Sequence, residues 1–473
     1  MFPLASTVLK LSPLHGLSLL LTLALVIGAG IAQSRRQRGA AGFSLGGRQS
    51  GAGLVAGAIV GSSVGGGATI GTAQLAYQHG MVAWCFTLGM GLGLVLLALF
   101  LSKALRHSGL ETVPQYLASC YGRAAEPVVS LISCLGIFFA CASSMLPGMS
   151  LLSALFGLSP DAAALLSVLL IAAYILVGGQ RGASVSGMLK SALLWVGLGV
   201  AACGACCGSD LHTAGSFSLL SRGGGYTLSC LGATAVGIMT AQMYIQAIFS
   251  ARHERAAVQG ALLGAALTVP VGLMATLVGM RMRLSHPELA ACPLLALPQF
   301  LLTELPPWLG GATLGGLVLA IISSAAAQAL AIGTMVSRDL AAELLGLRSD
   351  RCLLGINRAT LVLTAAAVAL FCRVNPDASV LVWNYLSMAL RGSGIFLPLL
   401  LAVLTRGRIV RHIGGAWVLS TMLLSTAAAL AASLCTESPP VGLGLAVSAL
   451  LLALGAGRKA WHRLRQDKSP ITP

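Results

Sequence analysis

The sequence predicts an all-α membrane protein of about thirteen transmembrane helices, built as two inverted five-helix repeats with broken first helices. Of its 473 residues, 56% are hydrophobic and only 9% are charged, and the mean hydropathy is +0.89. Apolar runs of about 18 or more residues recur from end to end, and each can cross a bilayer as a helix. Two of these runs, five spans apart, are interrupted by glycine. This composition excludes a soluble protein.

The apolar runs define the predicted spans, with edges accurate to a few residues. They lie near residues 13–33, 50–76, 80–102, 127–156, 161–178, 187–207, 226–250, 256–280, 312–336, 353–372, 379–404, 413–434 and 441–457. We divide the chain into an extra N-terminal helix with its connection (1–49), a first repeat (50–210), a second repeat (211–405) and two C-terminal helices with a basic tail (406–473).

The basic residues predict the orientation of the chain. The net charge of +16 comes from residues between apolar segments, so we interpret it as membrane orientation rather than nucleic-acid binding. Most of the 29 Lys and Arg residues fall in alternate connections on one side, and Lys190 is counted among them. The N-terminus is therefore expected outside and the C-terminus in the cytoplasm, in the inner (cell) membrane.

The stretch GAIVGSSVGGGATIGTAQLAY, Gly57–Tyr77, lies inside the second apolar run. Its consecutive glycines Gly65, Gly66 and Gly67 are each about 1 kcal/mol worse than alanine in a helix, so they invite the helix to open. Opened backbone at membrane depth is tolerated only in buried protein or beside water, where its carbonyls suit Na⁺. The alternative is close packing, because glycine recurs every fourth residue from Gly53. The stretch alone leaves both interpretations open.

The span at 226–250 is also apolar and is interrupted at Gly232 and Gly237. It lies five spans after the first glycine-broken helix. Broken helices at matching places in two halves indicate an inverted repeat with a midplane site between the halves. We therefore predict helix breaks at Gly65–Gly67 and at Gly237.

Four sequence motifs between about residues 50 and 340 suggest a family. They are GGGATIGTAQLAYQHG at the end of the broken helix, LRHSGLETVPQYLASCYG in a cytoplasmic connection, QMYIQAIFSARHERAAVQG between the seventh and eighth spans, and PPWLGGATLGGLVLAIISSAAAQALAIGTMVSRDL in the ninth span. Together they resemble the sodium:solute symporter family, which has a LeuT-like fold. The resemblance implies Na⁺-driven uptake by alternating access, without covalent chemistry and with no cofactor besides the coupling ion.

The resemblance also implies a sodium site formed between the two halves. Its ligands would be the backbone carbonyls of Gly61 and Val64 in the broken helix. The Ala320 carbonyl and the hydroxyls of Ser323 and Ser324, which share one helical face, would complete it. Na⁺, like other hard cations, prefers oxygen ligands. Many members carry an Asp just after the serines, but here three alanines follow them, so we expect one Na⁺ per cycle.

Arg391 is the one charge that the sequence places at mid-membrane. It lies about 18 Å into its span, where an arginine is costly and usually paired. All 13 acidic residues, however, lie in connections or at span ends, which also favours Na⁺ over H⁺ as the coupling ion. In one interpretation Arg391 binds helix-end carbonyls and holds a gate. In the other it pairs with a carboxylate of the substrate through two parallel bonds, which predicts a small organic anion or zwitterion.

Further polar side chains are candidates for the solute pocket by resemblance, and each is equally explained by packing or by bonding to its own helix. They are Ser62, Ser63, Thr69, Ser143, Ser144, Thr234, Gln242 and Tyr385. We predict a Na⁺-coupled symporter, not an enzyme, that imports a carboxylate-bearing solute, works as a monomer in the lipid bilayer and binds no nucleic acid. The alternatives are a transport-fold sensor and uptake of a neutral solute such as a sugar.

Overall fold

The computed structural model describes residues 9–34, 48–207, 217–347, 349–376, 379–405, 408, 413–435 and 439–466. In these ranges the regular structure is helical, apart from one isolated bridge between Ser50 and Ala251. The α-helices are α1 Pro13–Ser34, α2 Ala52–Ser63, α3 Thr72–His79, α4 Cys85–Leu96, α5 Ser102–Ser108, α6 Val113–Tyr121, α7 Ala125–Phe156, α8 Pro160–Cys206, α9 Gly224–Met239, α10 Gln242–Ser250, α11 Glu254–Ser285, α12 Ala296–Thr303, α13 Pro307–Met335, α14 Ala342–Leu344, α15 Asp350–Val374, α16 Val380–Leu404, α17 Gly415–Ser433 and α18 Val441–Gln466. Shorter π or 3-10 helices cover Gly67–Gly71, Gly80–Trp84, Leu97–Leu101, Pro287–Ala291, Pro293–Leu295 and Val336–Ala341.

Ten helical segments in the described ranges are long and apolar enough to cross a membrane, or eleven if α9 and α10 form one bent span. The protein is therefore a multi-pass membrane protein, but the count of thirteen is not confirmed. The count differs because α2 has only 12 residues and because the chain from Gly67 to Ser108 continues as one apolar segment. The first part of α8, Pro160–Tyr174, is also too short to count as a span.

Other expectations about membrane topology remain predictions. The repeat boundaries and the orientation belong to this group. The basic connection with Arg35, Arg36 and Arg38, and the end of the basic tail at 467–473, lie outside the described residues.

The long helix α8 covers two predicted spans, near 161–178 and 187–207. Its 47 residues would extend about 70 Å as a straight helix, more than twice the thickness of a bilayer core. The hydroxyls of Tyr174 and Ser186, however, are hydrogen-bonded at 2.5 Å. Twelve residues of straight helix would separate them by about 18 Å. The two described parts of α8, Pro160–Tyr174 and Ser184–Cys206, therefore contact each other through this bond, as two adjacent spans can.

The first break lies in the predicted glycine run. α2 ends at Ser63, and Val64 leaves the helical region with φ −86° and ψ 79°. Helical structure resumes as a π-helix at Gly67. A Cβ atom on Gly65 would collide with the Ser324 side chain, so the break is pressed against α13. Glycine is required here by the close approach of two helices.

Glycine serves packing earlier in the same helix. A Cβ atom on Gly57 would collide with the Ser184 carbonyl and with Met188 of α8. A Cβ atom on Gly187 of α8 would likewise collide with the Gly57 carbonyl. The two interpretations of this stretch therefore both hold, at different positions along it: α2 packs through Gly57 and opens after Ser63.

The second break lies at Thr240 and Ala241, where α9 and α10 meet at an angle of 43°. Ala241 is extended, with φ −82° and ψ 117°. The prediction of a break at Gly237 is wrong, because Gly237 lies inside α9. A Cβ atom on Gly237 would collide with Met388, so this glycine allows α9 to pack against α16.

The first break is enclosed by neighbouring helices. α2 packs against α8, α11 and α13, and every residue from Val55 to Ser63 is buried. The bridge between Ser50 and Ala251 joins the start of α2 to the end of α10. These contacts place opened backbone of α2 directly opposite the middle of α13.

Candidate cation and solute site

The groups predicted to bind sodium lie together where α2 meets α13. The Ser323 hydroxyl is 3.2 Å from both the Gly61 and the Ala320 carbonyl oxygens. The Ser324 hydroxyl donates to the Ser62 carbonyl at 2.7 Å. We use the name cation cage for the carbonyl oxygens of Gly61, Val64 and Ala320 together with the Ser323 hydroxyl. Its members come from two helices and are buried.

The side-chain ammonium of Lys190 lies inside the cation cage. Its Nζ atom is 2.8 Å from the Gly61 carbonyl, 3.1 Å from that of Val64 and 3.4 Å from that of Ala320. Nζ also donates to Ser323 Oγ. Lys190 is 0% exposed, and the ion pairs between described residues do not include it. A cation tethered to α8 therefore holds the position predicted for Na⁺.

Lys190 is the residue that reasoning from sequence missed. Its charge was counted in a cytoplasmic connection, and Arg391 was taken as the one charge at depth, which is wrong. The signal was present, because Lys190 lies within the predicted span 187–207 and an ionisable residue in a span marks a functional site. The cage has room for one monovalent cation, since Nζ already contacts all four of its oxygens. Na⁺ binding at this position remains a prediction.

Arg391 is the second buried cation, 1% exposed on α16. Its Nε donates to the Ser387 carbonyl at 3.2 Å, and its Nη2 donates to Ser387 Oγ at 3.0 Å. Its Nη1 is buried with no hydrogen-bond partner in the described part of the chain. The aliphatic part of the side chain lies against Gly136 of α7. One edge of the guanidinium is therefore available for an acceptor.

Four of the predicted pocket hydroxyls bond to the backbone of their own helix. The acceptors are the Ala58 and Ile59 carbonyls for Ser62, the Gly65 carbonyl for Thr69, the Ala140 carbonyl for Ser143, and the Cys230 and Leu231 carbonyls for Thr234. Such bonds satisfy each donor locally. These hydroxyl oxygens can still accept a bond from a solute, but their protons are already engaged.

Other predicted residues lie beside the break. The Ser144 carbonyl of α7 would be 3.2 Å from a Cβ atom on Gly66. Tyr385 packs edge-on to Phe86, with ring centroids 5.8 Å apart. Asn384, which the sequence reasoning missed, contacts Gly67 through its side-chain amide. α7 and α16 therefore supply polar groups on the side of the break away from Lys190.

Two further candidates lie elsewhere. Ser63 shares a 3.0 Å hydrogen bond with Thr268 of α11. Gln242, at the start of α10, accepts from the Val113 backbone at 2.9 Å and donates to the Glu111 carbonyl at 3.1 Å. Gln242 therefore fixes the connection before α6 rather than lining the first break.

A broken helix with buried polar and charged groups, among the ten or eleven candidate spans of the described residues, is the arrangement expected of a membrane transporter. The family model for the sodium:solute symporter family matches residues 43–408. The chain belongs to the sodium:solute symporter family, and it is a transporter rather than an enzyme.

A solved structure of a transporter shows the same fold. The substrate-bound, outward-open state of a Na⁺-coupled sialic acid symporter matches with a TM-score of 0.78 at 16% identity, covering 94% of this chain and 97% of that chain. Two variants of a manganese transporter from Eremococcus coleocola match with TM-scores of 0.48 and 0.49, at 15% and 16% identity, and each covers 87% of this chain and 94% of its own. These two are too distant to support an inference. A search of curated proteins finds no match.

Proposed function

We propose that this protein is a secondary active symporter that imports a small carboxylate-bearing solute, an organic anion or a zwitterion, together with a cation. Membership of the sodium:solute symporter family supports Na⁺-coupled symport as the general mode of transport. The solute class rests on one observation, the buried Nη1 of Arg391 without a partner among the described groups. A carboxylate would satisfy this edge of the guanidinium and would balance its charge.

Alternating access follows from the position of the cation cage. A cation there joins carbonyls of α2 to α13, so it holds the broken helix closed against its partner. We assign this arrangement to the form open to the outside, in which the solute pocket is organised. After the solute binds, the halves formed by residues 50–210 and 211–405 rock about the site. The cation then leaves first towards the cytoplasm, one per cycle, from a monomer in the cell membrane.

The solute is proposed to bind between the first break and Arg391. The backbone N–H groups of Gly65, Gly66 and Gly67, which the break frees from regular helix bonding, can meet an anionic group from one side. Arg391 would meet it from the other. The side chains proposed to surround the rest of the solute are those of Ser62, Thr69, Ser143, Ser144, Thr234 and Tyr385, whereas Ser63 and Gln242 bond elsewhere.

A thermal-shift screen of organic acids, amino acids and sugars, followed by counterflow in proteoliposomes, tests this function. We expect a carboxylate to be the transported solute and its primary amide to be transported far more slowly. Arg391→Gln should abolish that preference, because glutamine has neither the positive charge nor the parallel N–H donors of a guanidinium. Arg255→Gln, at an exposed position on α11, is the matched control and should transport normally.

Two outcomes would contradict the proposal. If a carboxylate binds the Arg391→Gln variant as tightly as it binds the unaltered protein, Arg391 does not bind the solute. If only neutral sugars show counterflow, the transported solute is a sugar and not a carboxylate. Counterflow also separates a transporter from a transport-fold sensor, because a sensor does not exchange solute across the membrane.

A further inference from the structure

The polar contacts of the Lys190 ammonium are all with neutral oxygens. They are the three carbonyls of the cation cage and the Ser323 hydroxyl. An ammonium has three N–H donors, so this oxygen set satisfies every donor. The same property, several neutral oxygens around one point, is what a hard monovalent cation needs. Lys190 and a bound Na⁺ are therefore alternatives for one position, since two positive charges in one cage repel each other.

The close packing of α8 against α2 places the Lys190 side chain in the cation cage. Gly187, about one turn before Lys190, lets α8 approach so closely that a Cβ atom there would collide with the Gly57 carbonyl and lie 3.0 Å from the Gly61 Cα. Gly57 provides the matching space on α2. This approach brings the lysine side chain within reach of both α2 and α13. An accidental surface lysine would direct its ammonium to water instead.

We propose that the Lys190 ammonium replaces Na⁺ in the cation cage of this protein, so that the cage binds no Na⁺ while the ammonium fills it. The inference rests on the proposed function as a cation-coupled symporter and names the cation that occupies this cage. Lysine suits the position because its ammonium is a compact point charge with three donors.

The ammonium joins three helices. Its N–H groups donate to the carbonyls of Gly61 and Val64 and to Ser323, so they tie α8 to α2 and α13. A bound Na⁺ would join α2 to α13 alone, whereas Lys190 adds α8 to the contact.

The elements packed against α8 near Lys190 are α1, α2, α7, α11, α13 and α15. α2 and α13 contain no titratable side chain. The described titratable or charged side chains of the others, and of α8 itself, are His15, Glu126, Cys134, Cys141, Asp161, Tyr174, Cys203, Cys206, Glu254, Arg255, Arg281, Arg283, Asp350, Arg351, Cys352, Arg358, Cys372 and Arg373. None of these is among the polar contacts of Nζ. Tyr174, bonded to Ser186, is the one that also interacts with Ser323.

Binding of radioactive sodium to the purified full-length protein tests the replacement without knowledge of the solute. We expect no saturable binding to the unaltered protein at neutral pH. Lys190→Ala empties the cage of its ammonium and should gain saturable Na⁺ binding that K⁺ does not displace. The double variant Lys190→Ala with Ser323→Ala should lose most of that binding. Lys103→Ala, at an exposed position on α5, is the matched control and should bind no Na⁺.

Saturable Na⁺ binding by the unaltered protein that Ser323→Ala removes would overturn the proposal. So would a folded Lys190→Ala variant that binds no Na⁺, because the cage would then not be a cation site. If Lys190→Ala does not fold, the unaltered protein still decides the question, since its sodium binding and thermal shift in Na⁺ against K⁺ need no variant.

Failure of the proposed function would look different from failure of this replacement. No acid, amino acid or sugar from the screen would then show counterflow, while the sodium-binding result would stand.

Discussion

Lys190 and Arg391 are both buried cations within candidate membrane spans, yet their surroundings differ. The ammonium of Lys190 has an oxygen for each donor, supplied by two other helices. The guanidinium of Arg391 bonds only to Ser387 of its own helix and keeps Nη1 without a partner in the described chain. A satisfied cation stabilises the contact between helices, whereas an unsatisfied one can still accept a ligand. The difference is the basis for proposing different roles for the two cations.

The largest expected effect is that of Lys190→Met, which keeps the length of the side chain but removes the ammonium. Three buried carbonyls of the cage would lose their charged donor, which should cost about 3 kcal/mol of stability. Thermal unfolding in detergent measures the loss, and Lys103→Met is the exposed control. A Lys190→Met variant as stable as the unaltered protein would show that the ammonium does not join these helices.

Arg391→Gln should behave in the opposite way when no solute is present. Its lost bonds lie within α16, so thermal stability without solute should stay unchanged or rise. Affinity for the carboxylate solute should fall about 100-fold, which corresponds to about 3 kcal/mol. In Arg391→Lys the affinity for the carboxylate should fall only about tenfold, because lysine keeps the charge but lacks the parallel N–H donors of a guanidinium. If Arg391→Gln lowered stability as much as Lys190→Met, the contrast between the two cations would fail.

Gly65→Ala tests whether the first break depends on the close approach of α13. The new methyl group would collide with the Ser324 side chain, and overpacking of this kind costs about 2 kcal/mol. Gly232→Ala is the control, because no atom lies within 4 Å of a Cβ atom at that position in α9. It should be neutral or slightly stabilising, since alanine favours a helix. Equal effects of the two substitutions on thermal unfolding would contradict this account of the break.

The smallest effect is expected from Ser324→Ala. It loses one hydrogen bond to the Ser62 carbonyl, worth about 1 kcal/mol, and leaves the polar contacts of Lys190 in place. Ser323→Ala removes a direct acceptor of Nζ and should lower the unfolding temperature further. The pair of variants distinguishes a residue of the cage from its neighbour, and equal unfolding temperatures would argue against the cage as defined.

The first break was predicted from the sequence pattern, and its partner from the family resemblance. Three adjacent glycines in an apolar span indicate opened backbone or close packing, while the resemblance placed Ser323 and Ser324 opposite them. The structure brings Gly65 and Ser324 into contact accordingly. The second break was misplaced because glycine was used as its marker. Gly237 serves packing against Met388, while the chain bends at Thr240 and Ala241, which carry no such marker.

The occupant of the cage was missed for a geometric reason. Lys190 lies near the start of a predicted span, where a lysine normally marks the membrane surface. Span edges are predictable only to a few residues, so the sequence does not show how deep this residue lies. The missing mid-membrane carboxylates were taken to favour Na⁺ over H⁺. That reasoning overlooked a buried lysine that fills the predicted sodium site.

The most direct test of the division of roles is saturable binding of radioactive sodium to the unaltered protein and to Lys190→Ala. We predict that the unaltered protein binds no Na⁺ at the cation cage and that Lys190→Ala does. Saturable Na⁺ binding by the unaltered protein that Ser323→Ala removes would contradict this account, because the cation cage would then have to accept Na⁺ in place of Lys190.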